Sequence, residues 1–155
     1  MSAEQRLKDL GLVLPTPAAA LANYMPYVRT GHLLVISGQL AFGPDGTIGE
    51  GHRGKVGHDV FNEGGREAAH LCALNVLAQT KAALGSLDKV KRCVRLGGFI
   101  NCTPGFTALA AVMNGASDLM VAVFGEAGRH ARTTIGVAEL PLDSTVELEA
   151  MFEVA

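Results

Sequence analysis

Three residues near the end of the chain have the types and spacing to handle a small carboxylate. Arg132 opens a predicted strand, and Thr134 follows two residues later and so projects from the same side. Glu149 lies on the polar side of the final predicted strand, which we expect to be the neighbouring one, so the three groups would share one surface. A guanidinium grips a planar carboxylate through two parallel hydrogen bonds and keeps its proton while doing so. Each charge-assisted contact contributes on the order of 1.5–3 kcal/mol, and a glutamate alongside can position or deprotonate a water. The same residues also describe a cross-strand ion pair on a solvated face, and spacing alone does not separate the two readings.

Other chemistries lack their usual supports. His52, His58 and His70 are the only clustered histidines, and their spacing matches no zinc signature. No G-x-S-x-G elbow, phosphate loop or G-x-G-x-x-G fingerprint occurs. The three cysteines cannot all pair within one chain, and none sits in a C-x-x-C spacing, so they read as reduced thiols. Cys72 falls on a helical apolar face and Cys93 at a strand start, which favours packing for both; Cys102 ends a strand beside a turn and is the thiol open to a role in a site.

The elements that must position these groups follow from periodicity. Residues 3–13 read as a short amphipathic helix, with Leu7, Leu10 and Leu14 at helical spacing and Pro15 and Pro17 ending it. Two strands joined by a turn at Thr30-Gly31 span Tyr27 to Gln39. Residues 47–61 are rich in glycine, histidine and charge without a period, and read as an exposed loop. From Asn62, taken as a cap, a helix runs to Leu84 with Leu71, Leu74, Ala78 and Ala82 on one stripe and Gly85 just past its end. Val90 to Cys102 alternates as a strand, in which Gly97-Gly98 signals a bulge or a close backbone approach. A second helix over 106–124 carries Leu109, Val112, Ala116, Leu119 and Val123, with Asn114-Gly115 working against it by about 1 kcal/mol. Strands over Ala131–Leu140 and Thr145–Val154 close the chain, joined by a turn at Pro141.

The order β-β-α-β-α-β-β makes an α+β fold, a mixed sheet with two helices on one face. The other face should be solvated, yet Met151 interrupts its glutamates, and the row Arg132, Thr134, Gly136, Ala138, Leu140, assigned to it, is mostly apolar. That points to association through the sheet. The bulk composition agrees: 48% of 155 residues are hydrophobic and 18% charged, and no continuous apolar run approaches the ~20 residues of a membrane span. The first 14 residues interleave charges with leucines and lack the core of a secretory signal, so the cytosol is the expected compartment. A net charge of -2 and a pI near 6.2 offer phosphate backbones no extended basic field, which makes nucleic acid an unlikely partner.

From Tyr24 to Val154 the chain resembles the Rid/YjgF family of reactive intermediate deaminases, which have a chorismate-mutase-like fold. The landmarks are Met25-Pro26-Tyr27-Val28 with Gly31, Ile36-Ser37-Gly38-Gln39, the helix end Lys81 to Gly85, Ala131-Arg132-Thr133-Thr134, Leu140-Pro141, and Val146-Glu147-Leu148-Glu149-Ala150. Residues 1–23 then form an N-terminal helical extension to a domain over 24–155, similar to a longer branch of the family. The resemblance implies a homotrimer with sheets around a central axis, helices outside and one cleft at each subunit interface. It implies that Arg132 binds the carboxylate of 2-aminoacrylate or a related 2-imino acid. Tyr27 and Gly38 would line the cleft, Glu149 would help place the attacking water, and Asn114 resembles an asparagine of the family's second helix. It also implies hydrolysis to a 2-oxo acid and ammonia without metal or cofactor. Thr134 stands where many family deaminases carry cysteine, so a thiol role there would be lost while a backbone carbonyl role would survive. His130, in the approach to Arg132, is a further candidate cleft residue. Three alternatives stay open: a non-catalytic trimer that binds a small carboxylate and regulates, an endoribonuclease or translation inhibitor, and a chorismate mutase by analogy of fold alone.

Overall fold

The final strand organises the molecule. Val146, Leu148, Ala150, Phe152 and Val154 are all buried, while Glu147, Glu149 and Met151 are half-buried and Glu153 is exposed. This strict alternation makes one side of the strand core and leaves the other open. The computed structural model describes residues 1–155. Five strands form one sheet: β1 (Tyr27–Thr30), β2 (Leu33–Leu40), β3 (Val90–Asn101), β4 (Ala131–Val137) and β5 (Val146–Val154). Their spatial order is β1-β2-β5-β3-β4, with β3 and β4 parallel and every other pair antiparallel. Two long helices, α2 (Asn62–Leu84) and α3 (Leu109–Phe124), cover one face, and a short α1 (Ala3–Asp9) packs on α3 through the buried Leu7.

α2 is buried all round rather than on one stripe: every residue from Cys72 to Thr80 is buried, whereas Ala82 is exposed. The reason is that the sheet and α3 cover its inner sides and the chain before β1 crosses its outer side. The polar residues this encloses all find partners. Asn75 Nδ2 donates to Phe42 O at 2.9 Å, Gln79 Nε2 to Ala18 O at 2.7 Å, and Thr80 Oγ1 to Val76 O at 2.8 Å. Gly85 ends α2 at φ 82°, as its position suggested. Asn62 is not the cap: Phe61 occupies that position, and no side chain bonds the helix start.

α3 begins at Leu109, three residues later than expected, because Thr103–Phe106 closes a turn in which Phe106 N donates to Thr103 O at 3.2 Å. Gly115 inside α3 is required by packing: a Cβ there would run into the backbone carbonyl of Arg66 on α2. With its short 3-10 extension, Leu109–Gly128 is long and apolar enough by composition alone to cross a membrane, but it is packed against α2 and the sheet as a core helix.

Residues 47–61 are not simply an exposed loop. Val56 and Val60 are buried, and Val56 bridges to Cys102 at the end of β3, so two apolar residues in a polar stretch pin it to the core. Gly97-Gly98 mark close approaches and not a bulge. A Cβ on Gly97 would lie 2.5 Å from Glu149 Oε1, and one on Gly98 would enter the Met113 side chain. The register breaks fall instead between Ile36 and Gln39 of β2 and in the first half of β3.

The largest departure concerns β4. It does not pair with β5; β3 lies between them. Its phase is therefore set by β3, where Leu96 pairs with Arg132, Gly98 with Thr134 and Ile100 with Gly136. Leu96 and Ile100 are fully buried under the helices, so Arg132, Thr134 and Gly136 face the helices too, not the open side. The open face is apolar through other residues: Val35, Phe99, Ile135 and Met151 are partly exposed there among the glutamates.

Candidate functional site

Arg132 sits on the edge strand and its side chain reaches up to α3. Nη1 donates to Asn114 Oδ1 at 2.9 Å and to Ser117 Oγ at 3.0 Å, and Nη2 leans on Ala110 O at 3.4 Å. No carboxylate lies within ion-pairing distance of this guanidinium. This half-buried positive charge is held only by neutral oxygens. Ser117 also meets His130, whose Nε2 is 2.8 Å from the serine hydroxyl and whose Nδ1 is 2.6 Å from Gly128 O.

Two residues along the strand, Thr134 Oγ1 is the one buried side-chain oxygen or nitrogen with no hydrogen-bond partner. Such an orphan costs roughly 1–3 kcal/mol unless something bonds it. Farther on, Cys102 lies against Gly136, where a Cβ would be 2.8 Å from its sulfur. Cys102 and Leu109 belong to a groove of 540 Å³ that ends at Lys55 and Glu139. Cys72 and Cys93 are fully buried, and burial pushes the Cys72 thiol well above its ordinary range and that of Cys93 up to about 12.

The expected group of Arg132, Thr134 and Glu149 is not on one surface. Glu149 pairs with Gly97, one position away from the Leu96 that faces Arg132, and so projects from the open side, where it meets Arg95 at 3.5 Å. Its neighbour Glu147, which the sequence reading passed over, is the more unusual carboxylate. Burial, with Glu149 nearby, raises Glu147 above the ordinary carboxylate range. It crosses the bulged part of β2 so closely that a Cβ on Gly38 would collide with its carboxylate.

Tyr27 and Gly38 lie on β1 and β2, at the opposite side of the sheet from β4. Three strand spacings, about 14 Å, separate β2 from β4, and four, about 19 Å, separate β1 from β4. One protomer thus carries two candidate groups, to be weighed as half-sites: Arg132, Asn114, His130 and Thr134 at one edge, and Tyr27, Gly38 and Glu147 toward the other. Of the clustered histidines, His52 bonds Glu67 at 3.0 Å, and no group of three His, Cys, Asp or Glu side chains is placed to hold a metal ion.

A five-stranded mixed sheet with two helices on one face defines the fold class. Residues 4–153 match the family model described as "YjgF/chorismate_mutase-like, putative endoribonuclease", and the chain belongs to this Rid/YjgF family. It is 47% identical over 148 residues to Protein TCP17 of Trypanosoma cruzi, a match that covers 95% of this chain and 91% of that protein. Among solved structures it resembles Atu1372 from Agrobacterium tumefaciens, described as of unknown function, with a TM-score of 0.90, 45% identity, and coverage of 99% of this chain and 92% of that one. It also resembles a protein from Shewanella oneidensis MR-1 described as a putative endoribonuclease, with a TM-score of 0.95, 37% identity, and coverage of 99% and 100%.

Proposed function

We propose that the protein is a homotrimeric, cofactor-free hydrolase that converts reactive 2-imino and enamine acids, 2-aminoacrylate among them, to 2-oxo acids and ammonia. The observation that carries this is Arg132: a half-buried guanidinium on an edge strand, held by neutral oxygens and lacking any carboxylate of its own. Its natural complement is a small planar carboxylate. The distance between the half-sites supplies the second argument. Tyr27, Gly38 and Glu147 can meet Arg132 only if the β1–β2 side of one copy lies against the β4 edge of another. The partly exposed Val35, Phe99, Ile135 and Met151 give the open sheet face an apolar surface for that association.

The chemistry asks little of the protein. An enamine tautomerises to an imine, whose C2 is electrophilic. Water adds to C2 as the C=N π electrons move to nitrogen, giving a carbinolamine; a proton passes from the new hydroxyl to nitrogen, the C–N bond breaks, and ammonia leaves with the 2-oxo acid behind. Arg132 orients the carboxylate. The carboxylate that handles the water is Glu147 rather than Glu149, because Glu149 is engaged with Arg95 whereas Glu147 lies against Gly38 and burial holds its proton affinity high. The unpaired thiols suit a reducing compartment, and we assign the protein to the cytosol.

The names attached to the family and to the Shewanella relative make RNA cleavage the competing reading. A net charge of -2 disfavours it, since phosphate-backbone binding draws on clustered basic residues. A trimer that binds a small carboxylate without turning it over would use the same arginine and dispense with Glu147. The deciding assay generates 2-aminoacrylate with a serine dehydratase, traps surviving imine with semicarbazide, and follows pyruvate release. The deaminase reading requires acceleration by the wild type and its loss in Arg132→Ala; equal traces for the two reject it.

A further inference from the structure

We infer that Ser117 and His130 form a positioning pair that fixes which edge of the Arg132 guanidinium is offered to the substrate. The inference rests on the carboxylate-binding reading of Arg132 and adds two residues to it.

Hydrogen-bond roles along the chain are determined one after another. Gly128 O can only accept, so in an imidazole that carries one proton it is His130 Nδ1, 2.6 Å away, that holds it. His130 Nε2 is then an acceptor, and the Ser117 hydroxyl 2.8 Å away donates its single hydrogen to it. The Ser117 oxygen keeps its lone pairs for Arg132 Nη1, which donates to it at 3.0 Å. Polarity therefore runs from Arg132 through Ser117 and His130 to a backbone carbonyl. That carbonyl is fixed in turn, because Gly128 packs so tightly against Met120 and Val121 of α3 that a Cβ would collide with their backbone.

The consequence lies in what remains of the guanidinium. Of its five N–H donors, the two on Nη1 are taken by Asn114 Oδ1 and Ser117 Oγ, and one on Nη2 faces Ala110 O. Nε makes no hydrogen bond within the chain, one Nη2 hydrogen is also left over, and Nε and Nη2 together make the side edge of the plane. That edge presents two parallel donors at the spacing of a carboxylate. Without Ser117, Nη1 has one anchor instead of two and the plane can rotate about the Asn114 contact, so the side edge is no longer held in one direction. Ser117 and His130 touch Arg132 and its support, not the reacting atoms, and so act as positioning residues.

The test measures affinity for pyruvate, the product of the proposed reaction, by calorimetry on the intact assembly, together with kcat and KM in the imine assay. Ser117→Ala is expected to weaken pyruvate binding and raise KM by about tenfold with kcat within about twofold, since a carboxylate grip acts on ground and transition state alike. Ser117→Thr, which restores the hydroxyl, should recover most of the loss. His130→Ala should act in the same direction, and the Ser117→Ala/His130→Ala double variant should be no worse than Ser117→Ala alone, because the two residues act in series. Fully additive effects, a fall in kcat with KM unchanged, or no rescue by threonine would overturn the pairing. If Arg132→Ala itself binds pyruvate like the wild type, the underlying function fails; if Arg132→Ala abolishes binding while Ser117→Ala is silent, only the positioning role fails.

Discussion

Arg132 and Glu149 stand against consecutive residues of β3, Leu96 and Gly97, and project from opposite faces of the sheet. The arginine rises to Asn114 and Ser117 on α3, while the glutamate stays on the open side with Arg95. The two charges therefore do not pair with each other within the protomer. Arg132→Lys tests how far the proposed carboxylate binding depends on shape. A lysine keeps the charge but loses the parallel pair of donors, so kcat/KM should fall at least about tenfold, with most of the loss in KM.

Glu147 and Glu149 should separate cleanly. Removing a group that moves a proton costs about 10²–10⁴ in rate, and we expect Glu147→Gln to fall in that range while Glu149→Gln stays within a few-fold of wild type. Reversed values would return the water-handling role to Glu149.

The same substitution has a pH signature in stability. The carboxyl of Glu147 is raised above its ordinary value of 4.5, chiefly by burial. In the window between that value and the raised one, the folded state binds more protons than the unfolded state, so stability falls as pH rises through it. Glu147→Gln removes the penalty. Its melting temperature relative to wild type should therefore be more favourable at pH 7 than at pH 4, as scanning calorimetry at the two values would reveal. Burial against a second copy would strengthen the shift in the same direction.

Assembly can be probed on the open face. Ile135 is 46% exposed there and belongs to β4, next to the proposed junction. Ile135→Glu should reduce the mass measured by light scattering from that of the proposed trimer to that of a monomer, leave the far-ultraviolet circular dichroism unchanged, and abolish the proposed turnover. An unaltered trimer would move the interface elsewhere.

Gly115 reports on the contact between the two long helices. Its Cβ space is filled by the Arg66 carbonyl, so Gly115→Ala must push α2 and α3 apart. Overpacking of this kind costs roughly 1–3 kcal/mol, a loss of about 2–4 °C in melting temperature for each kcal/mol at this chain length. A stabilised variant would contradict the packing described.

Much of this architecture was legible in the residues. The alternation from Val146 to Val154 marked β5 and its buried side, and Gly85 marked the end of α2, because both signals are local. The face taken by Arg132 was not legible. It follows from the pairing of β4 with β3, a parallel contact made through the α3 crossover, and a one-residue change of phase moves every side chain to the other face. Glu147 was missed for a related reason: Val146-Glu147-Leu148-Glu149 offers two equivalent glutamates, and only the register break between Ile36 and Gln39 brings one of them against Gly38. Ser117 left a fainter trace. Asn114 and Ser117, three apart on a helix whose one other polar side chain is Asp118, lie on one side of it, and that pairing of polar residues was the clue to what Arg132 would meet.

If the site is shared between copies as proposed, the placement of Tyr27 and Arg132 on the two outermost strands makes the rate per chain a property of concentration. Diluted below the point at which copies separate, the protein should lose specific activity while each chain keeps its fold, and the rate should decline with time after concentrated stock enters a dilute assay.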